Sequence, residues 1–252
     1  MNEQNNFTKS EQWYFHPDER IRILRYCQYN LTFDTDIDYT PKFNNQLTFG
    51  AVLYITHITS IQQIEKQINI LKQNNIEKIL LYNNYLINQN ELERLKNIYN
   101  ITIYTPENIL YSKDGIGSIA DLDIFYTGLN WAKNENCDLL IKLDCDYSVE
   151  FNIKEKLNEA IKESDSITYG CINTELNTFS CKFLVLYVPS WTLNYPISCL
   201  NFYISNEITV YLDIWFYELV KTLSGNNKSI KWVIYNNSLD YLHSGFYQLN
   251  KE

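Results

Sequence analysis

The chain has 252 residues, 45% hydrophobic and 20% charged, with a formal net charge of −9. Such values describe an ordinary globular chain that can bury a substantial core, as one large domain or one domain with an appendage. The acidic balance argues against phosphate-backbone binding as the main task, so a phosphate held here needs a cation as counter-charge. Residues 1–46, including "PDERIRILRYCQYN", fit no regular alternation and are read as an N-terminal extension covering the core. From Leu47 a pattern begins: "FGAVLYITH" reads as a buried strand. The helix "SIQQIEKQINILKQNN" follows, with Ile61, Ile64, Ile68 and Leu71 at helical spacing and Ser60 as its N-cap. "IEKILLYNN" is a second strand, "NQNELERLKNIY" a second helix and "ITIYT" a third strand. After the loop "SKDGIGS" comes a long helix, "IADLDIFYTGLNWAKNE", and then the strand "DLLIKL". Strand–helix alternation of this kind predicts a parallel sheet covered by helices on both faces.

The second half changes character. "NIKEKLNEAIKES" is an amphipathic helix with Ile153, Leu157 and Ile161 on one face. "SITYGCI" and "CKFLVLYV" have no long crossover between them and are expected to pair antiparallel. "VPSWTLNYPISCLNFY" is rich in Pro and aromatics and reads as an irregular loop. "EITVYLDIWFYELVKTLSG" ends as a helix with Gly225 near its C-cap, and "IKWVIYN" is a last strand. The six cysteines are scattered with no C-x-x-C, the usage of reduced thiols in a cytoplasmic protein. The N-terminal "MNEQNNFTKSEQ" lacks a signal-type apolar region, and no apolar run approaches the roughly 20 residues of a membrane span. The expectation is a chain without a membrane anchor.

The stretch "LLIKLDCDYS" carries the main chemical signal. An apolar strand ends on Asp144 and Asp146, whose side chains point the same way if the chain stays extended. Two such carboxylates repel each other unless a cation sits between them, although Asp is also an ordinary turn residue. Cys145 points to the opposite side and reads as a small core residue. Ligands in open α/β sheets bind beyond the carboxyl ends of the strands, where this pair lies.

The segment "GLNWAKNENCDLLIKLDCDYSVE" resembles the GT-A glycosyltransferases of the family-2-like, D-x-D-containing kind: a helix leads into an apolar strand ending in D-x-D. The resemblance covers most of 47–252 and implies an α/β GT-A fold, with a Rossmann-like nucleotide-binding half, a mixed sheet and an antiparallel acceptor-side half. It implies a metal-dependent transferase that moves a sugar from a UDP- or GDP-linked donor to a carbohydrate or other hydroxyl acceptor. Mn²⁺ or Mg²⁺ held through Asp144 and Asp146 would neutralise the departing diphosphate. His243 in "YLHSGFYQ" matches the position of a third metal ligand, or is a hydrogen-bonded histidine.

"YLDIWFYELVK" resembles the acceptor-side signature of the same family and implies Asp213 as general base, with inversion. Here Leu212 stands where the family has an acid, and Asp213 is equally readable as a helix N-terminal charge. Glu218 is a reserve candidate expected to face water. Donor contacts are implied at Thr56, His57 and Asn83, at the ends of the first two strands, and at Asp121 and Asp123, two positions apart on a helix and therefore facing different ways. Asn at the second strand's end replaces the usual acid. Gly115 and Gly117 form no P-loop, and Trp191 with Tyr195 fits either a stacking surface for an acceptor or simple packing. Two rival readings share the fold: a non-catalytic nucleotide-sugar-binding module, and a sugar nucleotidyltransferase. The second normally carries a Gly-rich loop and a basic residue after the first strand, and "YITHITSIQQ" has neither.

Overall fold

A computed structural model describes residues 31, 37–39, 41–43, 46–55, 59–84, 87–107, 119–145, 147, 149, 152–163, 167–173, 178–206, 212–226 and 233–234. The regular pattern from Leu47 becomes strand β1 (Phe49–Tyr54), helix α1 (Ile61–Gln73), β2 (Lys78–Tyr82), α2 (Gln89–Tyr99), β3 (Thr102–Tyr104), α3 (Ile119–Asn134) and β4 (Leu139–Asp144). These strands pair in parallel in the order β3-β2-β1-β4. Then α4 (Ile153–Glu163) precedes β5 (Thr168–Asn173) and β6 (Thr178–Tyr187), which pair antiparallel with each other. Strand β6 also pairs antiparallel with β4, and the short β7 (Val233–Ile234) adds parallel to β5. The result is one seven-stranded mixed sheet, β3-β2-β1-β4-β6-β5-β7. This is the α/β arrangement expected above, a parallel half and an antiparallel half in one mixed sheet, with β4 at the junction of the two.

Local chemistry fixes the helix ends. Ser60 opens α1 with a reciprocal capping box: its Oγ accepts from the Gln63 N–H at 3.2 Å, and its own N–H donates to Gln63 Oε1 at 2.7 Å. Asn88 caps α2 by accepting from the Glu91 N–H at 3.0 Å. Among the described residues, the non-glycine positions with positive φ are Asn75, Asn100 and Asn136, and each follows the end of α1, α2 or α3. Asparagine here takes the left-handed position that glycine more often fills.

Strands β1 and β4 are buried along their whole length, which is why they read as unbroken apolar runs. Helix α3 lies against them on the face that carries Leu140, Lys142 and Asp144. Gly128 makes this close approach possible: a Cβ there would stand 3.1 Å from Val52 Cγ1 and 3.2 Å from Leu140 Cδ2. Packing α3 so near the sheet sets its N-terminal turn, with Asp121 and Asp123, over the carboxyl ends of the strands.

One expectation fails in the second half. The Pro- and aromatic-rich segment is not irregular: it forms α5 (Val188–Trp191) and α6 (Asn194–Ser205). Both prolines, Pro189 and Pro196, fall in a first turn, where the missing N–H costs no helical bond. The aromatic residues are core. Trp191 has no exposed surface, packs on Phe216 at 5.2 Å, and donates its indole N–H to Ile167 O and Thr168 Oγ1, both at 3.0 Å. Tyr195 is 3% exposed, so of the two readings for this pair the structure has packing. Helix α7 (Leu212–Asn226) packs on β6 and joins Phe216 to Phe125 of α3, with ring centroids 4.5 Å apart. Ahead of residue 47, Tyr39 is 1% exposed and its carbonyl accepts from Ser190 Oγ at 2.7 Å. Among the described residues, Cys137, Cys145, Cys181 and Cys199 form no disulfide. Among the described residues no helix is long and apolar enough to cross a membrane.

Candidate active site

Asp144 is the last residue of β4 and is 7% exposed. The extended chain stops there. The Tyr147 N–H donates to the Asp144 carbonyl at 3.1 Å, the hydrogen bond of a turn. Asp146 itself lies outside the described residues, as do Thr56, His57, Gly115, Gly117 and His243. Cys145 is buried at 1% exposure, and its N–H donates to Tyr54 O at 3.0 Å.

The cation beside Asp144 is one the sequence reading passed over. Lys142 stands two residues earlier on the same face of β4 and is 3% exposed. Its ammonium donates to Asp144 Oδ1 and to the carbonyl of Cys181 on β6, the latter at 2.5 Å. The rings of Tyr54 and Phe125 flank it, with centroids 5.3 and 5.7 Å from Nζ. Burial works against the lysine charge, but the carboxylates of Asp144 and Asp121 outweigh it and hold the Lys142 pKa above its ordinary value. The signal was in the sequence: a lysine inside an apolar central strand must be paired, and an aspartate on the same face was two positions away.

Cys181 extends this network to α7. Its N–H donates to Asp213 Oδ1 at 3.1 Å. Burial and the neighbouring Asp213 carboxylate, which also hydrogen-bonds the thiol, push the Cys181 pKa well above the usual thiol range. Asp213 lies in the first turn of α7. Three sequence-selected aspartates thus belong to one neighbourhood: Asp144 bonded to Lys142, Asp213 bonded to Cys181, and Asp121 acting on both through its charge. Glu218, expected to face water, is instead 6% exposed, because its side of α7 turns inward.

Asp123 is bonded to the end of β2. It is 9% exposed and accepts a hydrogen bond of 2.5 Å from the Tyr82 hydroxyl. Burial raises the Asp123 pKa, and its hydrogen bonds to Tyr82 and Thr127 pull the other way without cancelling the rise. Tyr82 in turn is pushed far above the usual phenol range, by burial first and by Asp123 next. Asn83 is 1% exposed, and its side chain is committed to neighbouring chain segments. It accepts from the Ile87 N–H at 3.1 Å and donates to Thr105 Oγ1 at 3.3 Å, tying the end of β2 to its surroundings.

A row of tyrosines lies beside Asp144 at the strand ends. In register across the parallel half, Asp144 pairs with Tyr54, Tyr54 with Tyr82, and Tyr82 with Tyr104. Successive rings are 6.1 and 5.4 Å apart. The sequence carried this too, since "FGAVLY", "KILLY" and "TIY" all end on Tyr while the strand beside them ends on Asp. On the opposite side of the sheet, Gln67 of α1 is 2% exposed and donates its amide to the carbonyls of Cys145, at 3.4 Å, and Tyr147. It ties the carbonyls of Cys145 and Tyr147 together.

Asp144 offers carboxylate oxygen, and Mg²⁺-type ions are commonly held by one or two carboxylates plus substrate phosphates. Among the described residues no group of three or more His, Cys, Asp or Glu side chains is arranged to hold a metal by itself. The remaining ligands would have to come from Asp146, His243 and the substrate.

No family model and no curated protein matches the chain. Solved structures do. A mannose-1-phosphate geranyltransferase from Thermus thermophilus is 9% identical, covering 68% of this chain and 68% of its own, with a TM-score of 0.40. The glycosyltransferase GlyE of Streptococcus pneumoniae is 12% identical over 81% of this chain and 50% of its own, with a TM-score of 0.45. TarS 1–349 of S. aureus is 13% identical over 79% of this chain and 63% of its own, with a TM-score of 0.41. The chain therefore spans half of the GlyE structure and less than two-thirds of the TarS structure.

Proposed function

We propose that this protein is a metal-dependent glycosyltransferase that moves a sugar from a UDP- or GDP-linked donor to a hydroxyl acceptor with inversion. The observation that carries the reading is the joining of Asp144, at the carboxyl end of the central parallel strand, to Asp213, at the start of α7, through Lys142 and Cys181. One carboxylate comes from the nucleotide half of the sheet and the other from the acceptor half.

In this reading Asp144, with Asp146 and His243, holds Mn²⁺ or Mg²⁺. When bound, the ion supplies Lewis-acid stabilisation of the charge developing on the diphosphate. Asp213 takes the proton of the attacking hydroxyl, and the Cys181 N–H fixes the orientation of its carboxylate. Asp121 shapes the charge beside the diphosphate. Thr56 and His57, after β1, are the donor contacts on the nucleotide side. Asn83 and Asp123 support that side from behind, since their side chains are already hydrogen-bonded within the protein. We place the enzyme in the cytoplasm.

A panel of nucleotide-sugars tested for Mn²⁺-dependent thermal stabilisation checks the reading. A true donor at about a hundred times its Kd adds about 2.7 kcal/mol of apparent stability. Stabilisation by no member of the panel, with and without Mn²⁺, counts against it.

A further inference from the structure

Lys142 is too deeply buried to touch a substrate, yet it sits where the two halves of the site meet. Its ammonium donates to Asp144 Oδ1 and to the Cys181 carbonyl, with aromatic rings on either flank. Cys181 is also the residue whose N–H holds Asp213. We infer that Lys142 is a positioning residue: it aims the Asp144 carboxylate for the metal–diphosphate and anchors the β6 residue that orients Asp213. This rests on the glycosyltransferase reading and deepens it, since the donor-side carboxylate bonds Lys142 directly and the acceptor-side carboxylate is linked to it through the Cys181 peptide.

The physical argument turns on charge and reach. A carboxylate at 7% exposure is largely withdrawn from water, so its oxygens need hydrogen-bond partners within the protein. Lys142 supplies the partner from the same strand, at a spacing that keeps both side chains on one face. The second acceptor on β6 restricts where the ammonium can sit, and thereby where the carboxylate points. A free surface lysine would impose no such geometry. Groups that orient metal ligands from behind in this way commonly change metal affinity by about 10–100-fold when removed.

Four proteins test it: the parent, Lys142→Met, Asp144→Asn and the double variant. Mn²⁺-dependent binding of UDP and GDP is measured by calorimetry, and melting is measured without metal. Lys142→Met is expected to weaken the Mn²⁺-dependent binding by about 10–100-fold. The double variant should bind no more weakly than Asp144→Asn alone, and should melt above Lys142→Met because it strands no buried charge. Where Lys142→Met does not fold by itself, the comparison of Asp144→Asn with the double variant still stands, and the proposal requires equal affinity. Three results overturn it: Lys142→Met binding like the parent, losses that add fully in the double variant, or a double variant no more stable than Lys142→Met. A parent that binds neither nucleotide with Mn²⁺ refutes the glycosyltransferase reading instead. The melting order then still decides whether Lys142 and Asp144 act as a unit.

Discussion

Gln67→Leu tests whether the turn beyond β4 is held from behind. The substitution keeps side-chain bulk and removes two hydrogen bonds, to the carbonyls of Cys145 and Tyr147. The bond to Cys145 is 3.4 Å long and worth little, so the loss is dominated by Tyr147. Leaving a buried acceptor unpaired costs about 1–3 kcal/mol. Working against this, Gln67 Oε1 has no hydrogen-bond partner among the described residues, and leucine removes that stranded acceptor. The net expectation is a loss of about 1–2 kcal/mol in urea unfolding, with the slope unchanged. Gln67→Glu separates donation from space-filling: a carboxylate cannot donate and would face two carbonyls, so it should cost more than leucine. Mn²⁺-dependent UDP affinity should fall in both variants, because the carbonyls of Cys145 and Tyr147, next to Asp144, lose their shared donor. A Gln67→Leu protein as stable as the parent, or a glutamate variant no worse than the leucine one, refutes the reasoning.

Two other substitutions probe the carboxylates. Tyr82→Phe removes the hydroxyl that favours ionised Asp123, so the Asp123 pKa, already raised by burial, rises further. A carboxyl that holds its proton more tightly folded than unfolded makes the native state lose stability as pH rises above its ordinary value of 3.8. The cost of Tyr82→Phe relative to the parent should therefore be about 1.5–3 kcal/mol at neutral pH and smaller near pH 4, measured by denaturant melts at both; a pH-independent cost would contradict it. Asp213→Asn keeps shape and still accepts from the Cys181 N–H but takes no proton. Transfer should fall about 10²–10⁴-fold with donor affinity near normal, and transfer at the parent rate removes Asp213 from the mechanism.

The sequence reading succeeded where one local rule decided the outcome. Apolar runs of strand length and stripes at helical spacing found β1 to β4 and α1 to α3, and the capping chemistry of Ser60 fixed one boundary. It failed where tertiary context decided. Pro189 and Pro196 read as loop signals, but at first-turn positions with buried aromatics behind them they sit in α5 and α6. Lys142 and Gln67 each occupy a position the apolar pattern assigns to core, and both were absorbed into that pattern. A polar residue on a core-facing stripe is the more informative observation, because burial obliges it to find a partner. Here the partners are Asp144 for Lys142, and the carbonyls of Cys145 and Tyr147 for Gln67.

The most direct test of the central claim is release of nucleoside diphosphate from a panel of UDP- and GDP-sugars by the parent and by Asp144→Asn, each with Mn²⁺ or with chelator. The account predicts release from at least one donor, dependent on Mn²⁺ and lost in Asp144→Asn. No release from any donor, or equal release by a folded Asp144→Asn protein, would contradict it.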